Sequence, residues 1–118
     1  MRYVFLVYQD AAIVEAMDEC RRHALAEEAV AYRELLRQGG QLLTTLVIQP
    51  ASALTVRVRN GESTIEDGRL RRTREQLGAV WLIEARDLNE AIRLAARLPE
   101  ACLGSVEVRP VVQEESYR

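Results

Sequence analysis

The stretch GAVWLIEARDLNEAIRLAARLP, residues 78–99, decides the fold. Its first half, 78–85, is apolar on both alternating sets around Val80, Trp81, Leu82 and Ile83, as a strand covered on both faces must be. Asp87 follows as an N-cap, because a short carboxylate accepts from the free amides of a helix's first turn. Leu88, Ala91, Ile92, Ala95 and Leu98 then recur at helical spacing, and Pro99 stops the helix. A last strand is expected over 105–112 (SVEVRPVV), with Pro110 confining that end to a sheet edge or bulge. The second half of the chain is therefore strand, helix, strand.

The first half repeats that order. Residues 3–8 (YVFLVY) are β-branched and aromatic throughout, with Tyr3/Phe5/Val7 and Val4/Leu6/Tyr8 both largely apolar. Asp10 caps a helical region reaching Gln38, and a break is expected near 18–22, since an unbroken helix of that length would run about 40 Å. Leu25, Ala29, Tyr32, Leu35 and Leu36 define its inner face, and Gly39-Gly40 end it. A second strand spans 41–48 and stops at Pro50. Between the halves, 54–59 (LTVRVR) alternates with Arg57 and Arg59 on one wet face. Asn60-Gly61 is a type I′ turn into 62–66.

Strand, helix, strand, hairpin, strand, helix, strand predicts an α+β fold: a ferredoxin-like βαββ(hairpin)αβ antiparallel sheet with both helices on one face. One domain occupies 1–113, and 114–118 is a frayed tail. The first strand and the Trp81 strand are apolar on both sides, so the face without helices is expected to pack against a second copy, as a homodimer.

Composition narrows the function. Over 118 residues the formal net charge is −2, whereas a nucleic-acid-binding domain carries a basic excess. All sixteen basic side chains are arginine, which removes Schiff-base chemistry and any lysine base. Two cysteines, Cys20 and Cys102, and one histidine, His23, make neither a disulfide framework nor a Cys/His metal site. The apolar run at the start ends after six residues, too short for a leader or a membrane span. The expectation is a cytoplasmic protein without metal or cofactor, and without nucleic-acid or membrane partners.

Several stretches, in this order and spacing, resemble the YCII-related superfamily and, within it, the DGPF-domain proteins: RYVFLVY, YRELLRQGGQL, TVRVRNGESTIEDG, TREQLGAVWLIEARDLNEAIRLAARLP and GSVEVRPV. The resemblance covers nearly the whole chain and implies a dimeric α/β-barrel of ferredoxin-like subunits. The family's Asp-Gly-Pro-Phe reads Asp67-Gly68-Arg69-Leu70 here. The superfamily's catalytic histidine falls, by this resemblance, on Ala29, so that group is absent. Association with extracytoplasmic-function sigma factors, as a non-catalytic regulatory or interaction module, is the alternative role the resemblance implies.

The degenerate motif sits in EDGRLRRTREQLG, residues 66–78, which places four arginines, Arg69, Arg71, Arg72 and Arg74, within six residues of sequence. Asp67 has two compatible readings, a turn carboxylate bonding its own backbone and a general base or ligand acceptor. Arg69 and Arg74 are candidate anion holders, since guanidinium meets phosphate or carboxylate with paired donors. Glu75 is a candidate ligand-binding carboxylate, and also a structural partner for a neighbouring arginine. Tyr8, at the end of the first strand, is a candidate hydroxyl donor in a cleft. No glycine-rich phosphate loop precedes a helix and no aromatics interleave the arginines, which excludes base stacking. The expected function is binding of a small polar or anionic metabolite, with cofactor-free acid/base catalysis of isomerase, lyase or dehalogenase type.

Overall fold

The computed structural model describes residues 1–49, 52–68 and 73–117. The elements are β1 (Arg2–Asp10), α1 (Ala11–Ala16), α2 (Glu19–Gln38), β2 (Leu42–Val47), β3 (Leu54–Arg59), β4 (Glu62–Asp67), β5 (Glu75–Glu84), α3 (Leu88–Ala96), a 3₁₀ turn (Pro99–Cys102), β6 (Gly104–Pro110) and α4 (Glu114–Tyr117). Four strands form an antiparallel sheet in the order β2-β5-β1-β6. That is the ferredoxin-like order, with β3 and β4 as a separate hairpin.

The two most apolar strands take the centre, where both edges are hydrogen-bonded and both faces need cover. On the helix side Tyr3 lies opposite Ile83, Phe5 opposite Trp81 and Val7 opposite Ala79. Tyr32 and Leu36 of α2 and Ala91, Leu94 and Ala95 of α3 close over them, with Leu98 just beyond. The buried Tyr32 hydroxyl donates to the Leu94 carbonyl at 2.7 Å, tying α2 to α3. Burial pushes the Tyr32 hydroxyl above its ordinary pKa, with the nearby Arg97 opposing.

The helix break lies at Met17, whose backbone is extended, and Asp18 restarts the chain by accepting from the Arg21 amide at 2.7 Å. It therefore sits one residue ahead of the expected window, with Asp18 at the window's front edge. Asp10 caps α1 through Ala12, and Asp87 caps α3 through Glu90. Gly40 takes φ +75° after α2, while Asn60 and Gly61 at φ 54° and 78° make the I′ turn.

Three expectations shift. In α3 the inward stripe is Ala91, Leu94, Ala95 and Leu98, while Leu88 and Ile92 stand half exposed. The two alanines let the helix lie close to the sheet, which centres the contact on their side of the stripe. In α2, Leu35 is likewise exposed and Ala29, Tyr32 and Leu36 are the buried set. The expected frayed tail carries one helical turn, α4. No helix among the described residues is long and apolar enough to cross a membrane.

The hairpin projects from this frame. Val56 lies opposite Ile65, and Leu54, Val56, Val58 and Ile65 are all 58–70% exposed. Its base is anchored where the Gly68 amide donates to Ala53 and the Thr55 hydroxyl donates to the Gly68 carbonyl, both at 2.9 Å.

Candidate functional site

A cleft of about 960 Å³ opens between the base of this hairpin and the end of the sheet's uncovered face. Its walls come from β1 (Tyr8), the start of β5 (Glu75, Leu77) with Arg74 just before it, β6 (Ser105, Glu107) and β3 (Leu54, Val56). That volume suits a small molecule, as does the mixture of apolar wall and a few convergent polar groups.

A register shift builds the site. Val7 pairs with Ala79 and Tyr8 with Leu77, leaving Gly78 as an extra residue in β5. In regular pairing Tyr8 would face Gly78, and Leu77 and Glu75 would point to the helix side, because one step of register flips a strand's faces. The bulge instead turns both onto the uncovered face beside Tyr8, where both line the cleft. Beyond the shift the pairing continues through Gln9 with Gln76 to Asp10 with Glu75. That is why β5 starts three residues before the apolar run that marks it in the sequence.

Two contacts fix the charged groups. The Ser105 hydroxyl lies 3.0 and 2.9 Å from the two Glu75 carboxylate oxygens, so one proton is shared between them. Arg74 places Nε 3.3 Å from Asp10 Oδ2. Asp10 is buried, and its other oxygen accepts from the Ala12 amide at 2.9 Å. The same carboxylate thus caps α1 and tethers an arginine whose side chain is otherwise 80% exposed. Thr73 donates to the Glu75 carbonyl at 2.7 Å, fixing the backbone between them.

Of the residues singled out in the sequence, Tyr8, Arg74 and Glu75 converge on this cleft. Asp67 does not line it. It ends β4 opposite Leu54, exposed to solvent, and the strand continues to Asp67 where the sequence suggests a turn; Gly68 after it makes the turn, at φ 105°. Arg69, with Arg71 and Arg72, lies outside the described residues. Ser105 was missed because a serine in an alternating edge strand carries no motif. Asp10 was legible only as a cap, since its ion pair with Arg74 joins residues far apart in sequence. His23 is exposed and 3.1 Å from Glu27, and Cys20 and Cys102 are exposed free thiols. Among the described residues no three His, Cys, Asp or Glu side chains gather as a metal would need. Ala29 lies on the other side of the sheet, in a second groove along α2.

Comparison with known proteins agrees with this frame. An uncharacterised protein of Rhizobium meliloti is 31% identical over 114 residues, covering 94% of this chain and 92% of the relative. A solved structure of 5-chloro-2-hydroxyhydroquinone dehydrochlorinase from Burkholderia phenoliruptrix, in complex with 2,5-dihydroxybenzoquinone, superposes with a TM-score of 0.57. It shares 14% identity and covers 98% of both chains, a likeness of fold. The profile of the YCII-related domain matches residues 1–115. With that match running from β1 into α4, the chain belongs to the YCII-related domain family.

Proposed function

We propose that the cleft binds a small polar or anionic metabolite and performs cofactor-free acid/base chemistry on it, of isomerase, lyase or dehalogenase type. The carrying observation is the convergence of Tyr8, Arg74 and Glu75 with Ser105 against an apolar wall. Glu75 is the proton acceptor, and Ser105 orients it. Arg74, tethered by Asp10, holds an anionic or oxyanionic group. The Tyr8 hydroxyl donates to oxygen that gains charge as the proton leaves. The base role passes from Asp67 to Glu75 because Glu75 stands in the cleft wall and Asp67 beside it.

The ligand of the fold neighbour supplies the first probe. We expect 2,5-dihydroxybenzoquinone or a halogenated hydroquinone to bind in a titration, with Arg74→Gln weakening it about tenfold, or 1.4 kcal/mol. Any turnover found with such compounds should fall about 100-fold in Glu75→Gln, at the low end for removal of a general base. Binding that Arg74→Gln and Tyr8→Phe leave untouched would place the ligand elsewhere and end this reading.

We also propose that the chain works as a homodimer through the uncovered face. Val4, Leu6, Val80 and Leu82 on that face are only half buried, and the hairpin adds four exposed apolar side chains. A patch of this kind marks an interface more often than bare solvent. Light scattering at micromolar concentration should give twice the monomer mass, and Leu82→Asp should halve it. A monomeric wild type refutes the dimer.

A further inference from the structure

We infer that the second groove, on the helix side of the sheet, is a separate binding site for an α-amino acid with an apolar side chain. The groove runs between α1, α2 and the 3₁₀ turn and encloses about 330 Å³, the size of a single small ligand. Val14, Met17, Leu25 and Leu103 give it apolar walls.

Its charged groups are few and of opposite sign, and Gln9 adds a neutral amide. Glu100 lines the groove, and its Oε1 is shut off from solvent without a hydrogen-bond partner. A buried carboxylate oxygen without a donor is unfavourable, and a cationic N–H donor relieves it. Arg22 and Arg33 line the groove from α2. Arg22, Ala26, Ala29 and Arg33 follow at spacings of four, three and four, so they share one stripe of α2. That wall is guanidinium, apolar, guanidinium. Among the described residues neither arginine is paired with a carboxylate.

The ligand class follows from satisfying both signs at once. A fatty acid answers the arginines and leaves Glu100 bare. An alkylamine answers Glu100 and makes no use of the arginines. An α-amino acid carries ammonium and carboxylate on one carbon and adds an apolar side chain for the walls. This site is independent of the Tyr8 cleft, which lies on the other face.

The test uses L-leucine, with 3-methylbutylamine and 4-methylpentanoate as the same skeleton lacking one charge. In two-dimensional NMR titrations of the full chain, leucine should shift the amides of Val14, Leu25, Ala29 and Leu103 and spare those of Thr55 and Ser105. Each truncated analogue should bind at least about tenfold more weakly, as should leucine to Glu100→Gln. Arg33→Gln is the second variant should Glu100→Gln fold poorly. Glu100→Gln should leave the binding of 2,5-dihydroxybenzoquinone unchanged, so failure at one site is distinguishable from failure at the other. The inference is overturned if millimolar leucine shifts no groove amide, if 4-methylpentanoate binds as well as leucine, or if both variants bind leucine like the wild type.

Discussion

Trp81→Ala should lower stability by about 3–5 kcal/mol, the range for truncating a buried aromatic. Trp81 is 1% exposed, in the central strand β5, directly across from Phe5 in β1. Both rings lie in the core cluster beneath α2 and α3. Removing the indole leaves a void beneath α2 and α3, and the hydrogen-bonded strands cannot settle into it without breaking a ladder. The loss is a large part of the 5–15 kcal/mol that holds a typical domain together. With about 2.1 cal/mol/K of unfolding entropy per residue, it corresponds to a melting temperature lower by about 12–20 °C. Ile92→Ala, in the neighbouring helix but half exposed, should cost much less. Calorimetry of the two variants separates the inward stripe found in α3 from the one its sequence suggests. Equal losses would mean that Ile92 is covered in solution.

The contrast shows what the sequence could and could not reveal. Strands with apolar residues on both faces were legible as needing cover on both sides, because burial leaves a compositional mark. Caps were equally legible at Asp10 and Asp87, which act on amides two or three residues away, whereas Asp18 was marked only as the edge of a helix break. Helix faces were read less well. Leu88 and Ile92 fit the helical period as well as Leu94 does, and only the rotation of α3 on the sheet chooses between them. The same limit applies to the site. Tyr8, Arg74 and Glu75 were nameable by type, but the cleft depends on a register shift at Gly78 and on β6 delivering Ser105 to Glu75. Neither follows from local pattern. Asp67 stood out through its motif, and the motif marks the hairpin's end rather than the cleft wall.

Gly104→Ala should damage fold and cleft together. Gly104 opens β6 opposite Gln9 of β1. A Cβ placed there would overlap the Tyr8 carbonyl oxygen, with the Tyr8 carbonyl carbon at 2.9 Å and Gln9 Cα at 3.1 Å. All three are backbone atoms, so no rotamer change relieves the clash, and β6 must move away from β1. Overpacking of this kind costs about 1–3 kcal/mol, and more where backbone must shift. The displaced residues are the ones the cleft needs. Ser105 is next in the chain and pairs with Tyr8, and its hydroxyl holds both oxygens of Glu75. We expect Gly104→Ala to melt about 4–12 °C lower, taking about 4 °C per kcal/mol for a chain of this length, and to lose cleft binding beyond what Ser105→Ala loses alone. Gly78→Ala is the control, since a Cβ there meets its nearest atoms at 3.9–4.0 Å, ordinary contact, with no positive φ to strain. It should stay within about 1 kcal/mol of wild type, the range of a substitution that meets no named obstacle. If Gly104→Ala melts like Gly78→Ala, the two strands are not held as closely as this geometry requires. The link from β6 through Ser105 to Glu75 would then not be what positions the carboxylate.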